Sequence, residues 1–141
     1  MTISRERFLV AVSVALYIAS LAVPTAICIG NQCDSWPGYG ILLFGWLAVY
    51  ASPANMTWLA NPLLFICWML QLFSSTKAAL MVGLAALGLA ASFLLYDQIL
   101  SSESGSLSTI TGTAPGYWLW LAAMAFACAN SIMALRKRPV P

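Results

Sequence analysis

Residues 39–73 read YGILLFGWLAVYASPANMTWLANPLLFICWMLQLF, and the number of times this stretch crosses a bilayer decides the fold. A spanning helix needs about 20 apolar residues at ~1.5 Å each to cover roughly 30 Å of hydrocarbon. About 35 residues are too many for one simple span and too few for two ordinary ones. Ser52-Pro53 and Asn61-Pro62 each set an N-cap residue ahead of a proline suited to the first helical position. The second pair predicts a helix from Pro62 to Phe73. Twelve such residues rise only ~18 Å, so the residues before them must complete a crossing or anchor the helix at an interface.

The remaining chain supplies three plainer spans, about 8–29, 78–96 and 116–135. The run from Phe8 to Ile29 is about 22 residues, longer than the roughly 7–15 of a signal-peptide core, and is expected to be a retained transmembrane helix. Composition agrees with a membrane setting. Of 141 residues, 62% are hydrophobic and 7% charged, against roughly 45–50% and about 25% in soluble domains. Mean hydropathy is +0.88. These values argue against a soluble enzyme, a nucleic-acid-binding domain and a disordered chain.

Charge placement sets the parity. With one net crossing in 39–73, Arg5, Arg7, Lys77, Arg136, Lys137 and Arg138 all fall on one side, and Asp34, Asp97 and Glu103 on the other. With two crossings, Lys77 and the C-terminal basic cluster change sides. The positive-inside rule favours four crossings with both termini cytoplasmic. The expected fold is an all-α integral membrane protein, a four-crossing helical bundle in one domain whose second element is broken. That element is a crossing at 53–73 preceded by 39–51, which either lies along the outer interface or dips in as a re-entrant hairpin. Trp36, Tyr39, Trp46, Tyr50 and Trp58 are types that favour the membrane boundary. The segment from Asp97 to Pro115 is rich in Ser, Thr and Gly and does not alternate well enough to predict a strand. Thr113 and Pro115 signal the start of the last helix, followed by the aromatic group Tyr117, Trp118 and Trp120. Arg136-Lys137-Arg138 reads as a stop-transfer anchor.

The chemistry available is narrow. No histidine is present, which removes the usual general base and the commonest ligand of zinc, copper and haem. Cys28, Cys33, Cys67 and Cys128 are too scattered for a zinc knuckle. No metal, cofactor or nucleic-acid partner is expected. No ionisable residue stands clearly inside a span, and Glu6 lies outside the first apolar run, which disfavours ion-coupled transport. A passive pore, or a membrane-permeabilising effector with 52–62 as its re-entrant element, remains an alternative. Asn55-Met56-Thr57 fits a glycosylation pattern that is common by chance.

Cys28 and Cys33 fall at the outer end of the first helix or just beyond, where an oxidising compartment permits a disulfide, and equally leaves room for two free thiols. Four crossings with outer cysteines resemble, in architecture, the bacterial disulfide-bond-forming quinone reductases. Those enzymes carry a C-x-x-C pair in the first outer loop and a second reactive pair in the later one. Here the first gap is four residues and 97–115 holds no cysteine, so a membrane thiol oxidoreductase is the weakest functional expectation. Cys67 and Cys128 read as small apolar fillers.

The helix from Ala78 is crowded with small residues, and Ala79–Gly83 and Ala86–Ala90 form small-xxx-small pairs that let backbones approach closely. This face packs either within its own bundle or against another subunit. Asn61, Gln71 and Asn130, with Thr57, Ser92 and Ser131 beside them, are polar at membrane depth and need partners. Asn61 reads as an N-cap, and Asn130 is placed to bond across the bundle. The leading functional expectation is a non-enzymatic protein of the lipid bilayer acting through helix–helix association. It would be a homo-oligomer, or an accessory subunit of another membrane protein. Short loops and a retained first helix suit a bacterial inner membrane.

Overall fold

The computed structural model describes residues 4–31, 33, 37–73, 75–102 and 104–137. Asp34, Trp36, Glu103 and Arg138, assigned above from the sequence, lie outside the described residues.

Helix α1 spans Arg5–Ala22. Ser4 Oγ caps it by accepting from the Arg7 amide, and Glu6 sits in the first turn, where the helix dipole favours a negative charge. It stops seven residues before the expected limit at Ile29. Val23 precedes Pro24 and is extended (φ −69°, ψ 135°), because the proline ring disfavours a helical residue before it. Beyond the proline the chain enters strand β1, Ile27–Ile29. Helix α2 (Gly38–Phe44) continues into a 3-10 turn over Gly45–Ala48. A Cβ on Gly38 would strike the Ser20 carbonyl, so a side-chain-free residue lets α2 lie directly on the end of α1.

The stretch 53–72 is helical throughout: α3 (Pro53–Met56), a 3-10 turn (Thr57–Leu59) and α4 (Ala60–Leu72). Ser52 caps α3 and Pro53 takes its first position, as the sequence predicts. Asn61-Pro62 does something else. The helix starts at Ala60, Leu59 caps it without a side-chain bond, and Asn61 is not an N-cap. Pro62 has no N–H and its ring crowds the carbonyl four residues back. That carbonyl belongs to Trp58, and the Asn61 side chain donates to it at 2.9 Å instead. The tighter turn over 57–59 is where the ladder adjusts.

Helix α5 (Thr76–Ser92) runs on as a 3-10 turn to Leu95, and α6 covers Pro115–Lys137. Thr76–Leu95 and Pro115–Lys137 are long and apolar enough to cross a membrane, and only 28% and 33% of their apolar windows are buried within the chain. α1 spends its first turn on Arg5, Glu6 and Arg7. α6 packs on α1 and α5, and α4 packs on α5.

The chain is mostly helical but not all-α. Between α5 and α6, where no strand was expected, lie β2 (Gln98–Leu100) and β3 (Leu107–Thr113). Both outer strands pair antiparallel with β3, giving a sheet in the order β1-β3-β2. Cys28 opposes Gly112 while Ile29 opposes Ile110, so Thr111 is a bulge residue, and its hydroxyl donates to the Gly30 carbonyl at 3.0 Å. Gly30 turns the chain at φ 56°. Ile27, Ile29 and Ile99 form a small core with Ala54, Phe93 and Tyr117, separate from the core between the helices. The sheet thus closes one end of the helices. At the other, Lys137 Nζ stands 3.7 Å from Glu6 Oε1, which brings the two ends of the described chain together.

Candidate functional site

Under the sheet the elements do not close on one another. A cavity of about 770 Å3 opens there, in the size range of small-molecule sites. One wall is α2 with its 3-10 turn, contributing Ile41, Leu42 and Gly45. The opposite wall is Gly116, Tyr117 and Trp120 of α6, with Phe93 beneath β2. Ile27, Ile99 and Leu100 bring in the sheet. Among the described residues, no Asp, Glu, Lys, Arg or Cys lines it.

The polar floor is built on Asn61. Its Oδ1 accepts from Tyr17 OH (3.0 Å) on α1 and from Trp120 Nε1 (2.8 Å) on α6. With Nδ2 given to the Trp58 carbonyl, one amide ties three helices together at a buried point. Trp58 in turn donates Nε1 to the carbonyls of Ile41 (3.1 Å) and Leu42 (3.2 Å), and its ring lies against Gly45, where any Cβ would meet it. Asn55 pins α3 to the sheet: its Oδ1 accepts from the Leu100 amide at 3.0 Å and from Ser52 Oγ at 2.5 Å. Its amide nitrogen has no partner among the described residues, and Asn55 lines the cavity. These groups offer hydrogen bonds and apolar surface. They contain no nucleophile paired with a base.

The residues singled out from sequence are distributed between this site and the rest of the molecule. Cys28 and Cys33 are bonded to each other, tying β1 to the turn after it. Ala79, Gly83, Ala86 and Ala90 are buried inside the chain. A Cβ on Gly83 would stand 3.1 Å from Cys67 Sγ and 3.2 Å from Cys128 Sγ, so α4 and α6 close on α5 there. Cys67 donates to the Ala79 carbonyl at 3.3 Å, and Tyr117 OH donates to the Ala90 carbonyl at 2.9 Å. The small-residue face therefore packs within the chain. Gln71 bridges from α4 to the Ala127 carbonyl and Ser131 Oγ of α6. Asn130, read as bonding across the bundle, has a buried oxygen with no partner. Residues 52–62 run on as helix into α4 without folding back. Tyr17, whose hydroxyl helps hold Asn61 in place, is not among the residues singled out from sequence. A tyrosine hydroxyl in the middle of a long apolar helix is a signal that could have marked it, since a buried Tyr O–H finds a partner.

Comparison of the chain with known protein families, with curated proteins and with solved structures finds no match.

Proposed function

We propose that this chain is a membrane-embedded binding protein that holds an uncharged amphiphile, a lipid or other chain-bearing molecule with a carbonyl or hydroxyl head, under its sheet without transforming it. The observation that carries this reading is the cavity of about 770 Å3, apolar on its walls and hydrogen-bonding at its floor, with no Asp, Glu, Lys, Arg or Cys among the described residues that line it. An apolar body fills such a space, and the unpartnered Asn55 amide supplies a donor for a neutral oxygen. In this reading α1, the interrupted helix 53–72, α5 and α6 make four crossings, with 38–51 along the outer interface. Arg5, Arg7, Lys77, Arg136 and Lys137 then all lie on the cytoplasmic side, in keeping with the positive-inside rule. A bacterial inner membrane suits this arrangement. Exposed Tyr39, Phe44, Trp46 and Tyr50 would sit at the headgroup boundary.

Association with a second chain is the other reading. Because Ala79, Gly83, Ala86 and Ala90 are spent internally, it would use the opposite face of α5, where Met81 and Leu84 are exposed and Gly88 has open space around it.

Native mass spectrometry of the protein gently extracted from its membrane reads both. The expected result is a retained small amphiphile, lost in Gly40→Phe. Gly40 lines the cavity, and a Cβ there meets only Pro37, at 3.5 Å and beyond, so the new ring has room to enter. No retained molecule, or one indifferent to Gly40→Phe, would overturn the binding reading. A stoichiometric second chain would move the function to the complex.

A further inference from the structure

Most polar groups that line the cavity under the sheet already have their hydrogens committed. Ser20 and Thr57 donate back to the carbonyls of Tyr17 and Ala54, each at 2.6 Å. Tyr117 donates to the Ala90 carbonyl, Trp120 to Asn61, Trp58 to α2, and Asn61 to Trp58. The Ser101 and Ser102 hydroxyls are bonded to those of Ser108 and Ser104. Among the described residues that line the cavity, Asn55 is the one whose side-chain nitrogen has no acceptor.

The placement of that nitrogen is fixed by the backbone of β2. Asn55 Oδ1 accepts from the Leu100 amide at 3.0 Å, and a main-chain N–H can only donate. Exchanging oxygen and nitrogen would set two donors face to face. Ser52 Oγ, at 2.5 Å, completes the hold on the oxygen. Asn55 is half-buried and its nitrogen keeps accessible surface, which the sealed, unpaired oxygens of Gln71 and Asn130 do not. Those two residues stand at the far end of the chain, beside a second cavity of about 440 Å3.

The amide acceptors at the sheet-end floor are filled. Asn55 Oδ1 takes two donors, and so does Asn61 Oδ1. An occupant therefore meets two free N–H bonds on Asn55 and finds both amide oxygens taken. A carbonyl oxygen fits this imbalance, with two lone pairs and no hydrogen of its own. A hydroxyl head brings a hydrogen that would be buried without an amide acceptor. At the mouth, Phe44 and Leu47 line the cavity and remain largely exposed, so an attached chain leads out over apolar surface.

We propose that Asn55 makes the sheet-end cavity selective for a carbonyl head, an ester or ketone on an apolar chain, over the corresponding alcohol. The inference rests on the binding function proposed above and names which of its ligands is taken. Asn55 is the specificity-determining residue, and β2 orients it.

The test is a titration of the isotope-labelled full chain in detergent with pentadecane and with the methyl ketone and secondary alcohol of the same carbon skeleton. Binding is read by NMR on the indole N–H signals of Trp58 and Trp120, which line the cavity. The ketone should bind about fivefold tighter than the alkane or the alcohol, the scale of one neutral hydrogen bond, and should move the Asn55 side-chain amide signal. The decisive variant is Asn55→Asp, which keeps an oxygen for the Leu100 amide and replaces the donor with an acceptor. There the order should invert, with the alcohol about tenfold tighter than the ketone, an outcome that mere loosening of α3 would not produce. No preference for the ketone in the wild-type chain, or a ketone preference kept in Asn55→Asp, would overturn the proposal while leaving the binding function standing. Gly40→Phe should weaken all three compounds alike. If none of the three binds, or if all bind Gly40→Phe unchanged, the binding function fails and this inference with it.

Discussion

At the sheet end, the polar atoms buried among the elements find partners: Asn61 takes two donors and gives one, Trp58 reaches two carbonyls, and Asn55 Oδ1 binds the edge of β2, which leaves the Asn55 amide nitrogen free toward the cavity. At the basic end, Gln71 and Asn130 keep buried oxygens unmet, and the charged side chains stand half in solvent. One end is closed by a cross-linked sheet over an apolar space, and the other by helix termini around a polar one. The contrast teaches that helix packing in the middle leaves both ends free to specialise. α4 and α6 meet α5 through Ala79, Gly83, Ala86 and Ala90, which give no chemistry of their own.

The strongest way to break the contrast is therefore in the middle. Gly83→Leu places a branched side chain where Cys67 and Cys128 sulfurs already stand 3.1 and 3.2 Å from a Cβ. Overpacking should cost about 3 kcal/mol and destabilise both ends together, read by thermal unfolding in detergent. Loss of assembly in this variant would be a consequence of the lost fold. A variant with wild-type stability would show that α4 and α6 do not close on α5 as described.

Cys33→Ser sharpens the contrast instead, since it acts on one end. The bond closes a short loop, five residues in separation, and its chain-entropy worth is about 2 kcal/mol. Amide exchange should accelerate in β1 and β3 while amides of α4 and the last turns of α6 keep their protection. Uniform acceleration along the chain would mean that the two ends unfold as one unit.

The smallest effect is expected from Lys137→Ala. The pair with Glu6 is about half exposed on both sides, at 51% and 48%, and such pairs contribute roughly 0.2–1 kcal/mol. Here the low end, about 0.3 kcal/mol, is expected, and it should fall further at high salt. A shift of several degrees in melting temperature would show that the basic end is tied together more firmly than one screened ion pair allows.

Long apolar runs made α5 and α6 legible in the sequence, and Ser52-Pro53 marked the start of α3 by a local rule that needs no tertiary context. The basic residues pointed to a shared end for the termini, where Glu6 and Lys137 meet. The sheet was not legible for a physical reason. Ile27–Ile29 is three residues long, too short to show a two-residue period, and it reads as a continuation of the apolar helix before it. Four residues, 23–26, separate the two, and Pro24 is the one helix breaker among them. β3 is Ser- and Thr-rich because much of it faces outward, and Ile110 is its main inward anchor. Asn61 was misread because a residue before proline looks like a cap from sequence alone. Its acceptors and donors come from α1, α6 and the preceding turn, which no local pattern reveals.

The 3-10 turn over Thr57–Leu59 has an angular consequence. Three residues advance about 120° each in a 3-10 helix and about 100° each in an α-helix. Everything N-terminal to the turn is therefore rotated by roughly 60° relative to where an unbroken helix would have carried it. With that phase shift, Asn55 meets the Leu100 amide while Asn61, further along the same helical run, meets Tyr17 and Trp120. Pro62 thus works as a phase-setter, indexing the azimuth of the sheet to that of the helices below it.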